Sequence, residues 1–200
     1  VFKNISYEFE TGKIYAIKGK SGSGKTTLLS LIRGLEKCSE VDILYEGKSL
    51  KQMNLDTYRN SCIGIVFQSY NLLPYLTALE NIQLSMDITT EKITDKKQKA
   101  LELMKSVGLP ESFANRKILK LSGGEQQRIA RSLAYDAKVI IADEPTGNLD
   151  KETEAEIMEI FKTLAKEHNK CIIIVTHSDN VSDKADVIYE LKPADNNLPA

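Results

Sequence analysis

Short apolar runs recur along the chain and predict the strands of a sheet. Residues 139–142 (VIIA) and 171–175 (CIIIV) are continuously apolar, which is typical of strands buried on both faces of a parallel sheet. Residues 63–67 (IGIVF) predict another buried strand, and residues 13–17 and 187–191 are further short β-prone runs. We therefore expect a mostly parallel sheet.

Two segments predict antiparallel strands beside this sheet. Residues 2–9 alternate apolar and polar side chains, the pattern of a half-buried strand, and residues 10–12 (ETG) would turn it into the next strand. Residues 43–45 precede the turn sequence EGK at residues 46–48, which predicts a second strand and a tight turn. We expect N-terminal antiparallel strands from these segments.

Helical periodicity occupies the segments between the strands. Residues 27–33 predict an apolar helix that ends at Gly34, residues 55–59 a short helix and residues 155–165 a longer one. From about residue 69 to residue 122 the pattern is helical, with few strand-like runs. This block predicts a helical lobe inserted into an α/β domain.

Start and stop signals support the helices of this lobe. Thr77 and Glu80 have the spacing of a capping box. Residues 95–107 carry an apolar stripe at helical spacing that ends at Gly108.

The length and composition suit one globular domain. The chain has 200 residues, of which 42% are hydrophobic and 28% charged. We expect a single domain over residues 1–200, with residues 1–68 and 123–200 as its α/β core and about residues 69–122 as the helical lobe. The net charge is −1, so no overall field favours nucleic acid or an anionic membrane.

The cysteines and the hydropathy pattern indicate a cytoplasmic setting. The three cysteines are widely spaced and form no C-x-x-C pair, which is typical of small buried side chains in a reducing compartment. No apolar run approaches the roughly 18 residues of a membrane span. No signal peptide opens the sequence, and we expect a cytoplasmic protein.

The sharpest motif is the run GKSGSGKT at residues 19–26, between a predicted strand and a predicted helix. Its glycines allow backbone N–H groups to approach phosphate oxygens, and the helix N-terminus adds partial positive charge. Lys25 would reach the β- and γ-phosphates, and the Thr26 hydroxyl would bind Mg²⁺. A surface loop without function is the alternative, which the strand–loop–helix context disfavours. The chain is expected to bind a nucleotide.

A second motif, LSGGEQQR at residues 121–128, opens another helical segment. Ser122 fits the N-cap position, and Gly123 and Gly124 would expose backbone N–H groups, which would form a second anion site. Taken alone, the motif is also compatible with an ordinary helix N-cap that follows a flexible loop and has no ligand.

Two acidic residues, Asp143 and Glu144, follow the predicted strand at residues 139–142. In an open parallel sheet, ligands bind beyond the carboxyl ends of the strands, where residues 19–26 also lie. Asp143 could hold Mg²⁺ through water there, and Glu144 could polarise an attacking water molecule. An acidic turn without function is the alternative.

Together these motifs resemble those of the ATP-binding domain of ABC transporters, in the family's order and over nearly the whole chain. The matching segments are residues 19–26 (Walker A), Gln68 (Q-loop), residues 121–127 (signature), residues 140–144 (Walker B), residues 148–150 (D-loop) and His177 (switch histidine). The finer likeness, carried by residues 66–74 and 142–150, is to the lipoprotein-release, macrolide-exporter and antimicrobial-peptide-export group.

The resemblance implies a P-loop NTPase fold, ATP hydrolysis and a requirement for Mg²⁺. It implies catalytic roles for Glu144, His177, Gln68 and Lys25. The implied metal ligands are Thr26, Gln68 and Asp143. The implied nucleotide-binding residues are Gly19, Ser21, Gly22, Ser23, Gly24, Lys25, Thr26, Thr27, Ser122, Gly123, Gly124 and Asp150. The alternative for His177 is a histidine without a catalytic role, with satisfied hydrogen bonds after a buried strand.

The resemblance also implies two partners. Two such domains would associate head to tail, with each ATP between residues 19–26 of one copy and residues 122–124 of the other. The dimer would drive integral membrane permease subunits at the inner face of the cell membrane, and no nucleic-acid partner is expected.

Three rival functions belong to other classes. A soluble ABC ATPase acting on DNA or ribosomes would need a coiled-coil insertion or a second cassette, of which the sequence shows neither. The related cell-division ATPase is a near neighbour, but residues 76–82 (LTALENI) favour the exporters. A small-molecule kinase would leave residues 122–124 and His177 unexplained. A non-catalytic binding subunit is disfavoured because Glu144 and His177 are both present.

Overall fold

The computed structural model of the protein describes residues 5–36, 40–66, 72–88, 93–132, 137–147 and 149–192. Its elements are β1 Ile14–Lys18, α1 Lys25–Ile32, β2 Leu44–Tyr45, β3 Lys48–Ser49, α2 Leu55–Ser61, β4 Ile63–Val66, α3 Ala78–Ile88, α4 Lys96–Ser106, α5 Gly123–Ser132, β5 Val139–Asp143, α6 Lys151–Lys166, β6 Cys171–Thr176, α7 Asp179–Ser182 and β7 Val187–Glu190. Short 3-10 helices cover Leu50–Gln52, Glu111–Phe113 and Ile118–Lys120.

Five strands form a parallel sheet in the order β4-β5-β6-β1-β7. The predicted mostly parallel sheet is therefore confirmed, and every apolar run that predicted a strand lies in it. The run at residues 63–67 is observed as Ile63–Val66, and Phe67 lies outside the described residues.

Helices cover both faces of the sheet, which explains the continuous apolar runs. Ile140 and Ala142 of β5 face the cluster around Phe161 of α6. Ile141, on the opposite face, belongs to the cluster that contains Tyr58 of α2 and residues of α1. Because successive side chains of a strand point to opposite faces, each residue of β5 needs an apolar partner.

The helices between β4 and β5 have a hydrophobic cluster of their own. Ile82 of α3, Met104 of α4 and Ile129 of α5 are completely or almost completely buried in it. Ile160 of α6 packs against both this cluster and the one beside the sheet. The apolar stripes of α3 to α5 are thus buried mainly against one another, and α5 also contacts β4 of the sheet.

The predicted starts and stops of several helices are confirmed. The Thr77 N–H donates to Glu80 Oε2 at 2.7 Å and the Glu80 N–H to Thr77 Oγ1 at 3.2 Å, so the capping box forms. Gly34 and Gly108, which follow α1 and α4, have φ of 65° and 74°. Helix α6 begins at Lys151, four positions before the predicted residue 155, because Asp150 caps it.

The antiparallel pair consists of β2 and β3, in which Leu44 pairs with Ser49 and Tyr45 with Lys48. Its two turn residues, Glu46 and Gly47, both have positive φ, of 49° and 76°. A two-residue hairpin of the I′ type requires this conformation.

The strand predicted at residues 2–9 is wrong for the part that the structure describes, residues 5–9, where no strand is assigned. Instead, a tyrosine side chain of the sheet forms hydrogen bonds with the backbone of this segment. The Tyr189 hydroxyl donates to Glu8 O at 2.8 Å and accepts from the Glu8 N–H at 3.3 Å. The Tyr7 ring stacks on Tyr189 with 4.2 Å between ring centroids.

Candidate nucleotide-binding site

The carboxyl ends of three adjacent strands bring the predicted site segments together. Strand β6 lies between β1 and β5 in the sheet. Lys18, the last residue of β1, pairs with Thr176, and Asp143, the last residue of β5, pairs with Val175. Since all three strands are parallel, the loop at residues 19–24, Glu144 and His177 leave the same edge of the sheet.

Glycine is required at three positions of the loop at residues 19–24. Gly22 and Gly24 have φ of 79° and 94°, in the left-handed region that other residues avoid. A Cβ built on Gly19 would lie 2.3 Å from Ser23 Oγ and 2.8 Å from Leu191 O. These constraints fold the loop back over the end of β1.

The inside of this loop carries polar groups suited to an anion. Ser23 is only 2% exposed, and its Oγ has no hydrogen-bond partner. Lys25 Nζ lies over the loop and donates to Gly19 O at 2.5 Å and to Lys20 O at 3.1 Å. A buried hydroxyl without a hydrogen-bond partner lowers the stability of the fold unless a ligand forms that hydrogen bond. The loop therefore fits a phosphate group.

The N-terminus of α1 adds to this fit. Gly24 occupies the N-cap position without a side-chain cap, and the first turn contains no acidic residue. The first N–H groups of a helix have no partner within the helix, and its dipole favours an anion. Thr26 is exposed and Thr27 half-buried in this first turn, and Ser21 and Gly22 are exposed in the loop.

Asp143 lies half-buried at the end of β5. Burial raises the pKa of its carboxyl, as does the charge of Glu144, whereas Arg33 and Lys25 act to lower it. Asp143 lies two residues after Ile141, which packs in the cluster that contains Leu29 and Ile32 of α1, so strand alternation places Asp143 on the α1 side of the sheet.

A metal at this edge would need ligands beyond protein carboxylates. The part of the chain that the structure describes contains no cluster of three or more His, Cys, Asp or Glu residues able to hold a metal. A Thr26 hydroxyl and an Asp143 carboxylate are hard oxygen donors. They fit Mg²⁺, which usually keeps several waters and takes only one or two carboxylates besides phosphate oxygens.

Glu144 and His177, which are 33 positions apart, are in direct contact. His177 Nδ1 lies 2.7 Å from Glu144 Oε1. Glu144 Oε2 accepts from the Thr176 hydroxyl at 3.2 Å and from the His177 N–H at 3.4 Å. The His177 side chain is 74% exposed and that of Glu144 only 19%. The structure therefore joins two of the predicted catalytic residues in one hydrogen-bonded group.

The predicted anion site at residues 122–124 has an acid beside it. The Ser122 N–H donates to Glu125 Oε2 at 2.7 Å, and the Glu125 N–H donates to Ser122 Oγ at 3.4 Å. Gly123 and Gly124 form the first turn of α5. Among the described residues, no hydrogen bond or ion pair joins this segment to the loop at residues 19–24.

Another predicted site residue, Asp150, forms its hydrogen bonds at the start of α6. Asp150 is the N-cap of α6, where its carboxylate accepts from the Thr153 N–H at 2.9 Å and the Thr153 hydroxyl at 3.0 Å. These bonds lower the pKa of Asp150. Gln68 lies outside the described residues, so its predicted role stays a prediction.

Sequence reasoning missed Thr176 as a residue of this site. Its hydroxyl contacts Glu144, although the residue ends an otherwise apolar strand. A single hydroxyl at the end of a buried run, directly before a predicted catalytic histidine, is the signal that could have found it.

Within the described ranges, no helix combines the length and the apolar character needed to cross a membrane.

Known proteins are similar to this chain in sequence and in fold. The chain is 46% identical over 96% of its length to an uncharacterized ABC transporter ATP-binding protein, YclH, of Bacillus subtilis, and covers 85% of that protein. It is 39% identical over 96% of its length to the lipoprotein-releasing system ATP-binding protein LolD of Treponema denticola, and covers 86% of it.

A solved structure of similar sequence has the same fold. It is a dimeric, post-hydrolysis state of the ATP-binding cassette MJ0796 of Methanocaldococcus jannaschii bound to ADP and Pi. The two chains are 39% identical with a TM-score of 0.81, over 95% of this chain and 85% of the other.

The family model for ABC transporters matches residues 2–147. The chain belongs to the ABC transporter family, as one of its ATP-binding ATPase cassettes.

Proposed function

We propose that the chain binds ATP with Mg²⁺ and hydrolyses it to drive a membrane permease that exports or extracts a peptide, a lipoprotein or a hydrophobic compound. The observation that carries the proposal is the loop at residues 19–24, whose buried Ser23 hydroxyl lacks a partner at an uncapped helix N-terminus. That loop opens at the sheet edge where Asp143 and Glu144 lie.

The chemistry of the site suits phosphoryl transfer to water. In such a reaction the transition state is loose, and positioning and electrostatics supply most of the catalysis. Lys25 would leave its two loop carbonyls and neutralise charge on the γ-phosphate. Glu144 would orient the attacking water molecule and accept its proton. His177 would contact the γ-phosphate, and Gln68 would join the water and the metal at the start of the helical lobe.

The Mg²⁺ ion would be held by Thr26 and Asp143, and it would supply charge neutralisation at the phosphates. Of the described residues, Thr26 is exposed in the first turn of α1, and Asp143 ends the strand two places away from β1.

A second copy of the chain would complete the site. Residues 122–124 form no bond to the loop of their own chain in the described parts, and their first-turn N–H groups suit an anion. We therefore propose a head-to-tail dimer with ATP between the two copies. The dimeric state of the MJ0796 cassette with ADP and Pi supports this arrangement.

The names of the relatives support the proposed permease partner and cellular location. LolD is named as the ATP-binding protein of a lipoprotein-releasing system, which supports an exporter or extractor rather than an importer. We propose that residues 69–122, the helical lobe, face that permease at the inner surface of the cell membrane.

A phosphate-release assay tests the proposal. The purified chain should release phosphate from ATP when Mg²⁺ is present and not when EDTA removes it. A chain that binds ATP but transfers its phosphate to a small-molecule acceptor, without release of phosphate, would contradict it.

A further inference from the structure

Thr176 places a buried hydroxyl beneath the carboxylate of Glu144. The residue ends β6 and is 0% exposed. Its Oγ1 lies 3.2 Å from Glu144 Oε2 and 3.0 Å from the backbone nitrogen of Ser178. A polar side chain at this depth needs partners for its hydroxyl, and among the described residues Glu144 and Ser178 supply them.

The direction of both hydrogen bonds is fixed by the chemistry of the partners. The Ser178 N–H can only donate, so Thr176 Oγ1 accepts from it. A hydroxyl has a single proton, and a carboxylate can only accept. The Thr176 proton therefore points at Glu144, and the hydrogen bond is assisted by the charge of the acceptor.

The two oxygens of the Glu144 carboxylate are held by groups of very different solvent exposure. Oε1 contacts the ring of His177, whose side chain is 74% exposed. Oε2 contacts Thr176, which packing and the Ser178 N–H hold in place. If the His177 ring turns toward a phosphate, Oε1 loses its partner while Oε2 keeps the Thr176 hydroxyl.

The backbone of Glu144 also shows that its position is imposed by its surroundings. Its φ is 45°, a left-handed conformation that residues other than glycine adopt only where the structure holds them. The Glu144 N–H donates to Val175 O at 2.9 Å. Thus the residues on both sides of Thr176 and Thr176 itself bind Glu144.

We propose that Thr176 is a positioning residue for hydrolysis: its hydroxyl holds Oε2 of Glu144 so that Oε1 stays directed at the attacking water. The inference rests on the proposed function, in which Glu144 accepts the proton of that water. In this role Thr176 acts only through Glu144, to which its hydroxyl is hydrogen-bonded.

Steady-state ATPase kinetics of Thr176→Val and Thr176→Ser test this role. Valine has nearly the shape of threonine without the hydroxyl, so kcat should fall about 10- to 100-fold, as expected for a lost hydrogen bond to a charged group. The KM for ATP should stay within about twofold, because the loop at residues 19–24 is untouched. Serine restores the hydroxyl and should restore kcat to within about threefold.

A double variant separates positioning from a general structural effect. In a Glu144→Gln background, Thr176→Val should not lower the residual rate further, because the group that it positions is gone. Thermal melting of each variant reports folding, and Thr176→Ala replaces the valine variant if that one does not fold.

Three results would overturn the inference: wild-type kcat in folded Thr176→Val, an equal loss of kcat in Thr176→Ser, or a rise in KM at unchanged kcat. Failure of the underlying function is recognisable separately, since a Glu144→Gln variant with wild-type turnover would show that Glu144 is not the base.

Discussion

Substitution of Gly19 by alanine tests whether the close packing of the phosphate loop controls ATP affinity. A Cβ at this position would lie 2.3 Å from Ser23 Oγ and 2.8 Å from Leu191 O. Neither distance is tolerable for a carbon atom. The Ser23 hydroxyl could rotate away, but Leu191 O is backbone directly after β7, so the loop must shift.

The magnitude follows from the cost of overpacking. Forcing one extra methyl group into a well-packed place costs about 1–3 kcal/mol. Since about 1.4 kcal/mol corresponds to a tenfold change in an equilibrium constant, we expect the Kd for ATP to rise about 5- to 150-fold in Gly19→Ala. Ser23 Oγ is the buried hydroxyl that lacks a partner, so its displacement removes a contact meant for phosphate.

Gly47→Ala is the matched control. Gly47 lies in the turn between β2 and β3, where a Cβ would meet nothing within 4 Å but the φ of 76° disfavours alanine. The substitution should lower the free energy of unfolding by about 1–2 kcal/mol and leave ATP affinity unchanged.

Fluorescent-ATP titration and urea denaturation of both variants give the two quantities. Wild-type ATP affinity in folded Gly19→Ala, or weakened affinity in Gly47→Ala, would refute the steric reasoning.

Two further variants test the charges of the site and its neighbouring helix. Lys25→Ala should lose ATP binding in the same titration, because the ammonium group that would pair with the phosphates is removed; undiminished binding would contradict this role. Asp150→Ala should lower the thermal midpoint at pH 7, because Asp150 caps α6, while Asp150→Ser should keep most of the cap. The folded-state pKa of Asp150 is lowered, so its stabilisation is complete above the ordinary pKa of about 4 and is lost as the pH falls through the folded value. The difference between the alanine variant and the wild type should therefore shrink toward pH 2, and a constant difference would count against the capping bonds.

The sheet could be predicted from the sequence because its strands are buried on both faces. The runs at β5 and β6 have no polar face, and only a central position in a parallel sheet buries such runs. The phosphate loop was equally predictable, since Gly22 and Gly24 take conformations that only glycine adopts readily.

The N-terminal segment shows where this reasoning fails. Alternation at residues 5–9 reports which side chains are apolar, but it does not report whether a neighbouring strand is available for pairing. Tyr189 and Tyr15 supply hydroxyls to the backbone of Glu8 and Glu10 instead. A local pattern contains no information about these partners, which lie far away in the sequence or in the next strand.

The contacts within the candidate site could not be predicted for a related reason. The sequence placed Glu144 and His177 at the ends of two strands, but the pairing of β5 with β6 brings them together. The hydroxyl of Thr176 and the positive φ of Glu144 follow from that pairing and from the turn after β5. Strand order is a property of the whole fold, and the apolar runs alone leave it open.

The most direct test of the account is a paired measurement of mass and phosphate release for Glu144→Gln with ATP and Mg²⁺. If Glu144 activates water at a site shared by two copies, the variant binds ATP, doubles its mass by light scattering and releases almost no phosphate, whereas the wild type releases phosphate steadily. Release of phosphate by Glu144→Gln at the wild-type rate, or a mass that stays that of one chain while ATP is bound, would contradict the account.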